Sequence, residues 1–170
     1  MVSVVRAVTV EQIQRVQELF TEYFDFLRTD VDTDVADLND VPQLAGYEEE
    51  VATLPGHYSP PNGCLLLAEY EGKAAGCVAF YKMEDGICEI KRLWVRPQFR
   101  GKKISRMLVE TLIEKARKTG YTAIVLSTVD ILKEARALYE SLGFKTIAPY
   151  FDLPEAMLAH EIFMRLDLSP

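Results

Sequence analysis

The stretch LWVRPQFRGKKISRML, from Leu93 to Leu108, passes from an apolar strand into an amphipathic helix. Several basic residues and one glycine lie at the point where the strand ends and the helix begins. The start of a helix leaves backbone N–H groups unpaired and partly positive. Gly101 allows a backbone conformation that other residues disfavour. These features predict an anion-binding turn, although the same cations would also suit a solvated helix face. Neither GxxxxGK[ST] nor GxGxxG occurs, so the sequence does not indicate a standard nucleotide loop.

A second segment, ARALYESLGF from Ala135 to Phe144, carries a tyrosine on an amphipathic helix. Its apolar residues recur at helical spacing, and Gly143 is typical of a residue that ends a helix. Taken alone, this segment indicates a helix packed against a core.

The elements that position these two segments follow from the periodicity of apolar residues. Thr9 and Gln12 have the spacing of a capping box at the start of a long helix. Asp130 is an N-cap candidate, and Gly120 is a helix-ending candidate. The predicted elements are a strand at 3–8, a helix at 10–27, a loop at 28–40, a shorter helix at 41–54, a turn-rich segment at 54–63, three antiparallel strands within 64–95, a helix at 102–118, a strand at 121–128, a helix after Asp130, and strands at 144–147 and 161–168.

This order predicts an α/β (α+β) fold with one mixed sheet in a single domain spanning residues 1–170. The net charge of −7 argues against a general nucleic-acid binder and leaves an amine or a Lys-rich peptide as a partner. Cys64, Cys77 and Cys88 lack CxxC spacing and are expected to be buried thiols, which fits a reducing cytoplasm. We expect no membrane span and, since no His, Cys and carboxylate cluster has ligand spacing, no metal.

Together the two segments resemble a known family. VRPQFRGKKISRMLVETLIEKARKTGY, the strand after it and EARALYESLGF are similar to the second half of the GNAT superfamily, the acyl-CoA-dependent N-acyltransferases. The resemblance covers Cys64 to Leu168, and LPGHYSPPNGCLLLAE and GCVAFYKMEDGICEIKRLWVRP are similar to an uncharacterised bacterial branch. It implies a GNAT-type sheet, antiparallel in its first part, flanked by helices, with splayed parallel strands that leave a slot for acetyl-CoA.

The resemblance also implies cofactor-binding residues. The family signature is Arg or Gln, two residues, Gly, one residue, then Gly or Ala, and its N–H groups hold the coenzyme A pyrophosphate. Arg100 and Gly101 agree with this pattern, whereas Lys103 and Ser105 replace the two small residues, and Leu132 stands where many members have Asn. The strand before the turn is implied to pair with the pantetheine amides. The implied set is Leu93, Trp94, Val95, Arg100, Gly101, Lys102, Lys103, Ile104, Ser105, Leu132, Ala135 and Tyr139.

Two catalytic roles are implied for an acetyl transfer to a primary amine in a ternary complex. Tyr139 matches the tyrosine that protonates the departing thiolate, with a merely packed Tyr as the alternative. Glu89 matches in register the catalytic glutamate of some members and would be the general base. An ion pair of Glu89 with Lys91 or Arg92 is the alternative, and ordered waters are a second candidate for the base.

The acceptor is expected to be a small-molecule amine or a peptide amine bound by a monomer or homodimer. The helix-loop region and the loop before the last strand would wall the acceptor side, and these residues are alternatively a solvated face with core aromatics. Two other functions stay open at this stage: a non-catalytic acyl-CoA sensor and a nucleotide- or phosphate-binding module. The candidate substrate residues are Tyr47, Glu48, Tyr58 and Tyr150.

Overall fold

The computed structural model describes residues 1–29, 38–41 and 44–168. Its strands are β1 Val2–Arg6, β2 Cys64–Tyr70, β3 Lys73–Glu84, β4 Ile87–Val95, β5 Ala123–Val129, β6 Lys145–Ile147 and β7 Glu161–Asp167. Its helices are α1 Val10–Thr29, α2 Tyr47–Ala52, α3 Ile104–Thr119, α4 Lys133–Ser141 and α5 Glu155–Leu158. Short 3-10 turns are at Leu38–Asp40, Gly56–Tyr58 and Pro97–Phe99.

The seven strands form one mixed sheet in the order β1-β2-β3-β4-β5-β7-β6. Strands β1 to β4 are an antiparallel meander, and β7 runs antiparallel to both of its neighbours, β5 and β6. The two groups meet where β4 runs parallel to β5. The predicted α/β (α+β) mixed sheet is therefore confirmed, including its parallel pair.

Both faces of the sheet are covered, which explains the continuous apolar runs in its central strands. In β2, Leu66 packs into the cluster that contains α3, whereas Leu65 and Leu67 pack into the cluster that contains α1. Successive strand residues point to opposite faces, so a strand buried on both sides has apolar residues at every position. The predicted buried thiols, Cys64, Cys77 and Cys88, lie in these cores and are free.

The predicted start of the first helix is confirmed in atomic detail. The Gln12 backbone N–H donates to Thr9 Oγ1 at 3.1 Å, and the Thr9 N–H donates to Gln12 Oε1 at 3.0 Å. Gly120 ends α3 in the left-handed region, with φ 101°. Asp130, by contrast, does not cap α4: the helix begins after Leu132 with no side-chain cap. Two further residues separate Asp130 from the start of the helix. Its Oδ2 instead lies 3.3 Å from His160 Nδ1.

Other boundaries differ from the sequence prediction. The shorter helix expected at 41–54 is confined to Tyr47–Ala52, and α5 was not predicted. Most of the loop expected at 28–40, and residues 42 and 43, lie outside the described residues. Within the described part of the chain, no helix combines the length and apolarity needed to cross a membrane.

Candidate active site

A slot opens between β4 and β5 because these strands pair over only three residues. The pairs are Ile87 with Ala123, Cys88 with Ile124 and Glu89 with Val125, after which the strands diverge. A cavity of about 140 Å³ lies in the divergence. Because ligand pockets typically measure roughly 300–1,000 Å³, this space suits the reacting end of a larger ligand. It is lined by Tyr23, Leu27, Val41, Leu44, Ile90, Lys91, Arg92, Leu93, Leu126, Ser127, Thr128, Val129, Leu132, Ala135, Tyr139 and Glu161.

A bulge at Arg92 shapes one wall of this slot. Ala79 of β3 pairs with Lys91 and Cys77 pairs with Trp94, so β4 holds one extra residue there. Arg92 takes the left-handed conformation, with φ 62°. A non-glycine residue in that region is strained unless its surroundings fix it. A bulge of this kind bends a strand and redirects its side chains, here towards the face that carries α1.

Contacts from α1 and α2 hold the Arg92 side chain. Its Nε donates to Glu50 Oε2 at 2.9 Å and its Nη2 to Glu50 Oε1 at 3.1 Å. Its guanidinium lies 4.9 Å from the centre of the Phe24 ring. Burial alone would lower the pKa of Arg92. The hydrogen bonds to Glu50 raise this pKa above its usual range, and the electrostatic effect of the nearby Tyr58 raises it further. Arg92 is therefore a fixed, fully charged part of the wall.

The basic turn leads from β4 into α3 and leaves amide groups available. Gly101 has φ 81°, and Lys103, the residue before the helix, has φ 61°. The first helical backbone bond found here runs from the Met107 N–H to the Lys103 carbonyl at 3.1 Å. Among the described residues, the N–H groups of Ile104 and Ser105 donate to no backbone carbonyl. The turn thus has the backbone geometry of an anion site although two glycines are missing.

Two cations of the turn rest on aromatic rings of the protein. The Arg100 guanidinium lies 5.2 Å from the Trp94 ring centre, and its Nε donates to the Val95 carbonyl at 3.3 Å. Lys102 Nζ lies 4.8 Å from the Tyr70 ring centre. These contacts hold positive charge beside the turn in a chain of net charge −7.

The implied cofactor residues fall into three groups. Leu93, Leu132, Ala135 and Tyr139 line the slot. The other apolar members have buried side chains: Trp94 lies in the α1 cluster, while Val95 and Ile104 lie in the α3 cluster. Their backbone groups, rather than their side chains, are what a ligand in the slot would meet. The charged and polar members, Arg100, Gly101, Lys102, Lys103 and Ser105, make up the turn.

Tyr139 reaches the slot from α4. Its ring packs edge-on against Phe144 with centres 5.5 Å apart, and 5% of the residue is exposed. Burial raises the pKa of its hydroxyl well above the ordinary tyrosine value, and the neighbouring Tyr23 adds to this shift. Tyr139 is therefore both a packed residue and a protonated hydroxyl group on the slot wall.

Glu89 lies where the β4–β5 pairing ends and is 2% exposed. Its Oε1 accepts from the Tyr81 hydroxyl at 2.9 Å and lies 2.9 Å from Lys91 Nζ, and its Oε2 accepts from the Tyr150 hydroxyl. The sequence analysis gave an ion pair of Glu89 with Lys91 or Arg92 as the alternative to a general base, and the pair with Lys91 is present. Both oxygens of this carboxylate have donors.

The four candidate substrate residues are not brought together. Glu48 is exposed on α2, while the Tyr47 ring lies 4.8 Å from the Phe24 ring. Tyr58 is 1% exposed in the α1 cluster. Tyr150 reaches the site through its hydrogen bond to Glu89. Burial raises the pKa of Tyr150 above its usual range, and the Glu89 charge raises it further.

Sequence reasoning missed several residues of the slot wall. Tyr23, Ser127 and Glu161 come from α1, β5 and β7, and each was assigned only to a predicted helix or strand. Lys91 and Arg92 were considered as partners of Glu89 rather than as wall residues. The missing information is long-range: β7 must be known to lie beside β5 before Glu161 can be placed near Ser127.

Comparisons with known proteins agree with this fold. The sequence profile of the Acetyltransferase (GNAT) family matches residues 13–144. An uncharacterised N-acetyltransferase of Schizosaccharomyces pombe is 43% identical over 124 residues, 72% of this chain and 74% of that protein. Human N-acetylaspartate synthetase is 33% identical over 123 residues, 69% of this chain and 41% of the synthetase.

A solved structure extends the likeness of fold to nearly the whole chain. The PaiA N-acetyltransferase of Thermoplasma acidophilum, in complex with coenzyme A, has a TM-score of 0.73 at 15% identity, covering 99% of both chains. Fold, slot and profile together define an N-acyltransferase, and the chain belongs to the acetyltransferase (GNAT) family. It is an acetyl-CoA-dependent N-acetyltransferase.

Proposed function

We propose that the enzyme moves an acetyl group directly from acetyl-CoA to a primary amine while both are bound. The observation that carries the proposal is the slot itself, which opens beside Tyr139 and is lined by β4 as far as Leu93, while the basic turn follows at the end of that strand. The pyrophosphate would lie on the N–H groups at residues 100–105, and the pantetheine would pair with the free edge of β4 at residues 93–95. The thioester would then lie between the splayed strands.

Acyl transfer in this arrangement needs one proton for the leaving group. The amine nitrogen attacks the thioester carbonyl carbon, the C–S bond breaks, and the thiolate takes the hydroxyl proton of Tyr139, while a proton lost by the nitrogen restores the Tyr139 hydroxyl. The raised pKa of Tyr139 keeps that proton in place at neutral pH. Exclusion of water from the slot also makes the thiolate a stronger base, so the transfer is favoured there.

The acceptor is proposed to be a small-molecule or peptide amine that enters from the side of α1, where Tyr23, Leu27 and Leu44 line the slot. Because one relative is an N-acetylaspartate synthetase, L-aspartate is one amine to test as the acceptor. The enzyme is proposed to work in the cytoplasm, in keeping with its three free buried thiols.

Calorimetric titration with acetyl-CoA tests the cofactor half of the proposal, and no binding at high micromolar concentration would refute it. For the chemistry, Tyr139→Phe should lower kcat by roughly 10²-fold or more and leave the acetyl-CoA Kd unchanged. Tyr121→Phe is the matched control, because Tyr121 is also buried but lies outside the slot lining. Equal rates for the two variants would reduce Tyr139 to a packing residue.

A further inference from the structure

A second carboxylate reaches the slot from β7. Glu161 is partnered with Val129 across the β5–β7 ladder and lines the cavity with Lys91 and Ser127. Within the described part of the chain, the cavity lining includes Glu161 but not Glu89. Glu89, moreover, already accepts from two tyrosine hydroxyls and pairs with Lys91. Glu161 is thus a carboxylate residue of the cavity wall that sequence reasoning did not select.

We propose that Glu161 is the catalytic base that takes a proton from the ammonium group of the acceptor. The inference rests on the function proposed above, since it names the base of that same transfer. Its geometric support is that Glu161, Tyr23 and Tyr139 line the same cavity, which lies where β4 and β5 diverge. The proposed base and the proposed acid therefore border one cavity.

The charges around Glu161 come from each element packed on it. Burial raises its pKa above the ordinary glutamate value, and Asp130 after β5 raises it further. A hydrogen bond with Ser127 of β5 and the charge of Lys91 on β4 act in the opposite direction. On α1 the facing group is the Tyr23 hydroxyl, and Asp130 is itself paired with His160. A carboxyl with a raised pKa is better matched to accepting a proton near neutral pH.

The proton balance of the step is complete. The ammonium group gives one proton to a Glu161 oxygen, and the neutral nitrogen then forms a bond to the thioester carbonyl carbon. When the C–S bond breaks, the thiolate receives the Tyr139 proton, and the second proton lost by the nitrogen restores Tyr139. Glu161 later releases its proton to water. One amide, one thiol and one proton are the products of one ammonium group and one thioester.

The test compares Glu161→Gln with Glu155→Gln, an exposed glutamate of the neighbouring α5. Thiol release from acetyl-CoA is measured with L-aspartate, L-lysine, putrescine and hydroxylamine. The first three are ammonium ions at neutral pH, whereas hydroxylamine is mostly neutral and has little need of a base. For any of the first three that the wild type acetylates, Glu161→Gln should lower kcat/KM by roughly 10²-fold or more. The loss with hydroxylamine should be far smaller.

Two results would overturn the inference: kcat/KM of Glu161→Gln within twofold of the control, or an equal loss with hydroxylamine, which would mark a structural role. Folding is not expected to confound the test. A raised pKa in the folded state means that stability falls as the pH rises from the ordinary glutamate value through the raised one. The neutral Gln removes this loss, so the variant should be at least as stable as the wild type at neutral pH.

A second measurement needs no acceptor. Carbon-13 NMR of labelled glutamate carboxyls, assigned with the Glu161→Gln variant, should show a titration midpoint for Glu161 above the ordinary glutamate value of about 4.3. A midpoint at or below that value would overturn the inference. Acetyl-CoA titration of the wild type separates the two proposals: absence of binding refutes the proposed function, whereas the NMR midpoint bears on Glu161 alone.

Discussion

The ion pair between Glu50 and Arg92 should be a main support of the slot wall, and Glu50→Ala tests this. The Arg92 side chain is 5% exposed and that of Glu50 is 16% exposed, so water cannot replace the lost carboxylate. Removing one partner of a buried pair typically costs about 3–5 kcal/mol. Coulomb's law agrees, giving about 4 kcal/mol for unit charges at 4 Å and an effective dielectric constant of about 20. Total stabilities of about 5–15 kcal/mol make this a large fraction.

Urea unfolding measures the effect, with the fluorescence of Trp94, the one tryptophan in the chain, as the signal. The control is Glu49→Ala, one residue earlier on α2 and exposed, which should change stability by no more than about 0.5 kcal/mol. Adding Arg92→Met to Glu50→Ala should recover part of the loss, because the buried charge that has lost the Glu50 carboxylate is itself removed. The reasoning fails if Glu50→Ala falls within about 1 kcal/mol of the control, or if the double variant loses the sum of both single effects.

Two further changes address the helix starts that flank the site. Lys103→Gly should stabilise the protein by about 0.5–1 kcal/mol in urea unfolding, because glycine relieves the left-handed strain at φ 61°, whereas Lys103→Ala should not. The same Lys103→Gly change should weaken acetyl-CoA binding and flatten its salt dependence, and an unaltered salt dependence would assign the anion site to the backbone alone. Thr9→Ala should cost about 1 kcal/mol through loss of the capping box; a change no larger than that of Thr21→Ala, within the same helix, would contradict this.

The local part of the fold could be predicted from the sequence because its signals are local. The apolar runs of β2 to β4, the capping box at Thr9 and the end of α3 at Gly120 each depend on neighbours within a few residues. The slot between β4 and β5 was also anticipated, but through resemblance to a family rather than through periodicity.

The rest depends on contacts between distant segments. Glu50 and Phe24 hold the bulge at Arg92 in place. No local sequence pattern predicts that this arginine takes a left-handed backbone conformation. Glu161 enters the site only because β7 lies between β5 and β6. Asp130 has the residue type of an N-cap, yet the turn runs two residues further before α4 begins. These are tertiary effects that outweigh a local preference.

The divergence of β4 from β5 also means that the protein carries two unpaired strand edges in its interior. Beyond Glu89 and Val125, each strand turns one row of backbone groups towards the slot. At the rim of a sheet such a row invites pairing with another chain and leads to aggregation. Here the row is enclosed by side chains such as Tyr23, Leu132 and Tyr139, which leave room for a slender extended ligand but not for a second strand with its side chains. The residues that surround the reaction space thus also prevent the unpaired backbone groups of β4 and β5 from pairing with another chain.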